Sequence, residues 1–346
     1  MFFKIVASLL TISLIIIIHE LGHFAAAKLL KIRIYEFSIG LGPKILGIIN
    51  KGINYSLRII PFGGYVKLAG IDNLTDDNDC KNEEKLNKRP YWQQILVLFA
   101  GSGSNLFFSL LLFILIYSFI GLPGGISPVI KKVFPETPAF EQNLQSGDVI
   151  IAVGDLSVNS GQQVIKEIQK TNGNTVKITI LRDKEQKTFT IQPYKKDGKY
   201  FLGIKLTPEL IKKENILTAI AISLLELIKL ITIIVLFLIK FFTFQTDLSN
   251  IIGPLGMVSL SGEIMNYGLA NFIFFVAFIN INIAVLNLFP FPALDGGRIF
   301  ILTLEKSLRK KFDESHIKIT HSIGFFILIS ILIYITYFDL KDLLVK

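Results

Sequence analysis

The sequence predicts a polytopic α-helical membrane protein: about four transmembrane helices, a small membrane-associated β element, and one water-exposed α/β domain. Three observations predict it. Hydrophobic residues fill 51% of the 346 positions and charged residues only 18%, where soluble domains carry about 25% charge. The apolar excess is gathered into runs long enough to cross a bilayer, and the stretch from 126 to about 208 between them has ordinary soluble composition. The basic residues cluster too, with ten Lys and Arg in 31–90 and six in 298–321. A disordered chain and a plain soluble enzyme are thereby excluded. The net charge of +9 reads as basic cytoplasmic loops, with no nucleic acid as partner. The single cysteine, Cys80, rules out an intrachain disulfide and a cysteine-rich zinc site, and in its charged loop it reads as incidental.

In chain order, residues 1–30 read as a first transmembrane helix. The run from Ile5 to Ile18, continuing through Phe24 to Leu30, is too long for a signal peptide and has no clear exit site. Residues 31–90 read as a cytoplasmic-side β element and loop. Arg33–Ser38 and Tyr55–Ile60 alternate like strands, Gly42-Pro43 and Gly63-Gly64 mark turns, and Asp72–Arg89 is a loop or surface helix. Residues 91–121 hold the second transmembrane helix, with Arg89-Pro-Tyr-Trp92 as an interfacial anchor. Residues 122–210 form the soluble domain, with strands at Val149–Val153, Val176–Leu181 and Thr188–Ile191 and a helix at Gln162–Thr171. Residues 211–268 are ambiguous. Residues 269–300 hold another transmembrane helix, and 301–346 a cytoplasmic loop and the last helix.

Both basic loops are short enough to be held inside, whereas long domains cross regardless of charge. The chain then starts outside, enters through its first helix, leaves through its second, and places 122–210 outside.

The sharpest chemistry is His19-Glu20-Leu21-Gly22-His23. On a helix the two histidines share one face and reach one Zn²⁺, with Glu20 beside them to take a proton from water. At about 1.5 Å per residue the motif lies about 22 Å beyond Lys4, inside the membrane, where idle polar residues are costly. A catalytic zinc needs a third protein ligand. His316 and His321 are candidates but read as structural or exposed loop residues. Asp295 is better placed, in Asn287-Leu-Phe-Pro-Phe-Pro-Ala-Leu-Asp-Gly-Gly-Arg298 at the end of an apolar run. Alone it reads equally as a helix N-cap; with the histidine motif in the same chain, ligation is the better reading.

His19–His23, Leu294-Asp295-Gly296 and the Asn287…Pro290…Pro292 lead-in resemble the site-2 protease family of intramembrane zinc metalloproteases. Phe37–Pro43, Ile60–Lys67, Gly253-Pro-Leu-Gly256, Thr137-Pro-Ala and Gly147–Gly154 are similar to its bacterial, sigma-factor-regulating branch with one PDZ domain. The resemblance covers nearly the whole chain. It implies a multi-pass protein of the bacterial inner (cytoplasmic) membrane, with 122–210 as an extracytoplasmic PDZ-like domain. It implies Zn²⁺ held by His19, His23 and Asp295, with Glu20 as general base. Asn287 and the Gly63-Gly64-Tyr65 segment would bind substrate, the latter by pairing its strand with an unwound peptide.

The implied reaction is hydrolysis of peptide bonds in transmembrane segments of single-span proteins, such as an anti-sigma factor, or in remnant signal peptides. Ala100-Gly-Ser-Gly-Ser-Asn105 departs from the family's Ala-Gly-Pro, and the expected consequence is a local difference where the second helix begins. The PDZ-like block serves either substrate recognition or steric exclusion. If it lies outside, an odd number of crossings separates it from Asp295, so 216–242 reads as amphipathic, re-entrant or surface-lying, with Glu226 and Lys229 supporting this. The competing readings are a catalytically silent PDZ-containing membrane scaffold and a metal transporter. Intact Glu20 and Asp295 argue against the first, and the absence of repeats against the second.

Overall fold

The computed structural model describes residues 2–71, 80–121, 123–196, 198–210, 213–243, 245, 253, 256, 264 and 268–345. The chain folds as two compact units, Met1–Ser118 with Asn215–Lys346, and Phe119–Glu214.

The first unit is built on α1 (Phe2–Leu29) and α2 (Tyr91–Leu115), which a wider turn extends to Ile120. Runs of Ile and Leu without proline allow every backbone group to bond within its own helix, which an apolar solvent demands. The helices approach closely because Gly22 faces Ala100; a Cβ on Gly22 would collide with the Ala100 carbonyl. The Ser104 hydroxyl lies 2.7 Å from both the Ile18 and Gly101 carbonyls. Past the end of α1, the Arg89 guanidinium donates to the carbonyls of Leu30 (2.7 Å) and Lys31 (3.2 Å). Arg89 thus satisfies acceptors that a helix end leaves unpaired, a more specific task than interfacial anchoring.

Between these helices, β1 (Ile34–Asn50) and β2 (Ile53–Leu68) pair antiparallel. The strands bend, and Ile39 lies opposite both Gly64 and Leu57, so residues 36–39 are flanked on both edges. Gly42 (φ +83°) and Gly63 (φ +115°) take backbone angles that a side chain would strain. Ile48 and Ile49, 72% and 76% exposed, point outward from the far end of the hairpin. Lipid tolerates such a face and water does not. Of the stretch expected as a loop, 72–79 lies outside the described residues, and 82–88 forms two single helical turns.

The ambiguous run is α5 (Ile216–Phe242), one unbroken helix. It contains no Gly or Pro to turn it back. Glu226 and Lys229, the charges that favoured a surface position, pair with each other at 3.2 Å across one turn. Its outward positions are mostly apolar, including Leu217 and Leu225, with Lys229, Thr232 and Lys240 exposed among them. Among the described residues, five helices are long and apolar enough to cross a membrane.

Next comes α6 (Leu269–Leu288). It stops at Leu288 instead of running to 300, because Pro290 and Pro292 cannot continue it. Asp295 instead opens a separate helix, α7 (Asp295–Leu308), and α8 (Glu314–Val345) follows after five residues. The expected loop over 301–321 is therefore mostly helical. Helices α2 and α6 run antiparallel. Phe113 meets Phe274 (ring centroids 5.4 Å), and the Asn280 amide donates to the Asn105 carbonyl at 2.8 Å. The chain accordingly leaves α2 and enters α6 at the same end of this unit. Asp339 of α8 accepts the backbone N–H groups of Gly253 (3.1 Å) and Gly256 (2.9 Å); Pro254 and Leu255 lie outside the described residues.

The second unit is a sheet ordered β10 (Ile204–Leu210), β3 (Pro123–Val133), β4 (Val149–Val153), β6 (Val176–Arg182), β7 (Glu185–Ile191), with β5 (Leu156–Ser157) on β4. The short α3 (Pro138–Glu141) and α4 (Gly161–Lys170) join it, and β8 (Tyr194–Lys196) and β9 (Lys199–Phe201) form a hairpin. Val164 and Ile168, one turn apart on α4, bury against Ile150, Ile178 and Ile180. Ser160 caps α4 by accepting from the Gln163 N–H.

Asp148 is 1% exposed by side chain and is held by both Nε (2.6 Å) and Nη2 (2.7 Å) of Arg182. Removing one partner of a buried ion pair strands the other. Arg182→Ala should therefore lower the unfolding free energy of this unit by about 3 kcal/mol, read as a shifted denaturant midpoint; an unchanged midpoint would contradict the burial.

Candidate metal centre

On α1, His19 and His23 lie four residues apart, and their Nε2 atoms are 3.1 Å apart. The Asp295 Oδ2 is 3.1 Å from one and 3.2 Å from the other. These edges are close to the about 3.3 Å that separates neighbouring ligands of a tetrahedral zinc with bonds of about 2.0–2.1 Å. His23 Nδ1 lies 2.8 Å from the Val97 carbonyl. A carbonyl only accepts, so His23 carries its proton on Nδ1 and presents Nε2 as a lone pair, the usual outer support of a metal-binding imidazole. Space for both rings comes from Gly101, where a Cβ would collide with His23 and His19. Two nitrogens, a carboxylate and a cradle that only glycine leaves open fit a zinc ion, and this is the cluster of metal-ligating side chains found among the described residues.

Asp295 reaches the histidines through an irregular turn. The Phe289 N–H donates to the Leu286 carbonyl at 3.0 Å, closing α6. Ala293 takes φ +77°, unusual outside glycine. Gly296 and Gly297 let α7 start against the end of α6, since a Cβ at either would collide with the Leu288 or Phe291 carbonyl. The N-cap position of α7 is Leu294, with no side-chain cap. The capping alternative for Asp295 is thus not realised, and its carboxylate faces the imidazoles instead.

Glu20, Asn287 and Ile16 line one opening with His19 and Asp295. The β element flanks it: a Cβ on Gly64 would lie 3.4 Å from the Glu20 Cγ and 2.8 Å from the Ser38 carbonyl. Among the described pairings, the 64–68 stretch is bonded along one edge only, to 34–39. Gly63 packs on Leu41. Tyr65 is directed elsewhere, since its hydroxyl accepts from Arg58 at 2.6 Å, and Arg58 also donates to Glu36 at 2.9 Å. Partial burial pushes the Glu36 carboxyl up, but hydrogen bonds from Ser56, Arg58 and Tyr65 outweigh it and hold Glu36 below the usual range.

Of the other histidines, His316 is exposed and 3.6 Å from Asp313, away from the centre. His321 accepts a hydrogen bond from the Ala293 N–H at 2.8 Å. Both sit on α8, not in a loop. The Ala100–Asn105 segment lies ten residues inside α2, not at its start, so its difference from the family pattern falls directly against the histidines. Sequence reasoning missed Gly101 and the Val97 carbonyl. The unusual Gly-Ser-Gly-Ser run in an apolar helix was the available signal.

Two outcomes test this geometry. The purified chain should hold one zinc by metal analysis; Asp295→Ala should lose most of it, while Glu20→Gln should keep it. For Glu36, whose folded carboxyl is held low, stability is present above the ordinary value of about 4.3 and is lost as pH falls through the lower folded value. Amide exchange in 34–68 should therefore quicken below about pH 4, and Glu36→Gln should remove that dependence.

Comparison with known proteins identifies the family. The model for peptidase family M50 matches residues 7–331. A Clostridium acetobutylicum protein named as a zinc metalloprotease is 32% identical over 98% of this chain and 97% of its own length. The zinc metalloprotease RasP of Oceanobacillus iheyensis is 24% identical over 98% and 99%. Among solved structures, the PDZ domain of the SdrC-like protein from Listeria monocytogenes is similar at 27% identity, over 24% of this chain and 86% of that one, with a TM-score of 0.21. The chain belongs to peptidase family M50, the site-2 proteases, and is a multi-pass membrane zinc metalloprotease.

Proposed function

We propose that this protein hydrolyses peptide bonds within transmembrane segments of single-span membrane proteins or remnant signal peptides, in the inner membrane of a bacterial cell. The observation that carries this reading is the placement of Glu20. It shares an opening with His19, Asp295 and Asn287, and it lies against the one-sided strand edge at Gly64.

His19, His23 and Asp295 would hold the zinc, which when bound supplies Lewis acidity for deprotonating water and polarising a carbonyl. The remaining work falls to the chain itself. Glu20 receives the proton of the attacking water on its carboxylate and returns it to the leaving amine. The 64–66 edge offers backbone N–H and C=O groups to an extended peptide, fixing the scissile bond beside Glu20. Asn287 offers amide donors and an acceptor from the opposite wall. A helical substrate must unwind before its carbonyl is reachable, and strand pairing replaces the hydrogen bonds it gives up.

The test is cleavage of a tagged single-span substrate in membranes. Wild type should cut; Glu20→Gln should fall by at least about 10²-fold, the lower range for a general base, while retaining zinc; a chelator should abolish cutting. Asn287→Ala should lower turnover without removing zinc. Product persisting with Glu20→Gln would overturn the mechanism. No cleavage by a zinc-free wild type would leave a membrane scaffold as the function.

A further inference from the structure

The proposed chemistry requires Asp295 to stay at the histidines, yet nothing in its own helix fixes it there. The turn that carries it is irregular, with Ala293 at φ +77°. Such a conformation is strained for a residue with a Cβ and persists only where neighbours determine it. The neighbour is α8. The Ala293 N–H donates to His321 Nδ1 at 2.8 Å. Three residues along the same helix, Gly324 is pressed against Pro292, where a Cβ would collide with the proline ring and its carbonyl. Residues three apart share a helix face, so α8 grips consecutive residues of the turn, Pro292 and Ala293, with a single surface.

We propose that His321 is a positioning residue for the metal centre: through Ala293 it fixes the turn that aims Asp295 at His19 and His23. The chemistry is specific. A backbone N–H can only donate, so Nδ1 must present its lone pair to Ala293 and His321 serves as an acceptor, not a ligand. A turn of this shape without an acceptor would leave a partly buried N–H unpaired and free the turn to relax. Asp295 lies two residues away, and its contacts with both imidazoles, at 3.1 and 3.2 Å, leave little room for such relaxation. Outer supports of metal ligands typically change affinity by about 10–100-fold when removed.

This inference rests on the zinc protease reading, so its test includes a readout independent of cleavage. Full-length wild type, His321→Phe and His321→Asn are purified in detergent. Phe keeps a ring of similar size without an acceptor; Asn offers Oδ1 near the place of Nδ1. Zinc affinity is measured by competition with a chromogenic chelator, and kcat and KM are measured on the single-span substrate. His321→Phe should bind zinc at least about tenfold more weakly and lose turnover with KM little changed. His321→Asn should recover most of both. The proposal is overturned if His321→Phe matches wild type in zinc affinity, or if the Asn variant is as impaired as the Phe variant, since then the acceptor is not what matters. If wild type itself holds no zinc, the protease reading fails. If wild type holds zinc and His321→Phe holds it equally well, only the role of His321 fails.

Discussion

Everything else in the membrane unit is arranged around bringing two imidazoles and a carboxylate to within about 3 Å of one another inside an apolar helix bundle. Each of these groups is expensive away from water unless paired or bound to a metal. The cost dictates the packing. His19 and His23 need a helix face that meets a neighbour without bulk, and Gly101 provides it. The same closeness requires Gly22 against Ala100. Small residues at this interface therefore serve two ends at once: in lipid they give the helices their contact, and at the metal centre they make room for the rings.

Backbone carbonyls complete the arrangement. Val97 fixes the proton on His23, and Arg89 closes the carbonyl end of α1. Both come from residues at or just before the first turns of α2, so one helix start supports the ligand-bearing helix at two depths. On the other side, α6 reaches the centre only because it stops early. A continuous helix over 269–300 would carry Asp295 roughly 10 Å past Leu288 along its axis; the Pro-rich break lets the chain fold back instead.

The histidines, Glu20 and Asp295 were legible in the sequence because their chemistry is improbable in an apolar run. The spacing of two histidines by four, and a carboxylate beside two prolines, are features that composition does not produce by default. Strands of the second unit were also legible, two from alternation and Val149–Val153 from the Gly147-Asp148 turn before it, the last found at its expected bounds. What could not be read are effects that depend on a distant partner. Glycine at 101 looks like a helix weakener until the histidines stand opposite. His321 looks like a loop residue because the charges around it suggest solvent, while its partner, Ala293, is an ordinary alanine 28 positions away. The charges of α5 show the same limit: Glu226 and Lys229 count as two charges in a sequence and as one pair on a helix.

A protease that works on membrane segments must accept a peptide whose backbone has lost its helix, in a solvent that offers no hydrogen bonds in exchange. The position of the β element bears on this. Residues 36–39 are flanked on both edges, while 64–68 is bonded on one edge among the described residues, and Gly64 brings that strand against Glu20. An exposed strand edge is ordinarily a liability. Placed beside Glu20, under the proposed reading, it offers backbone groups that compensate an unwound substrate at the point where it must be unwound. The glycines fit this reading, because a side chain at 64 would press on both Glu20 and the Ser38 carbonyl and hold the strand away. Proximity of the edge to Glu20 and precision at Asp295 are then separate requirements, met in the proposed mechanism by separate elements: the β element for the peptide, and the α8 face for the turn that carries Asp295. Substitutions on one should alter which bonds are cut, and substitutions on the other how well any bond is cut.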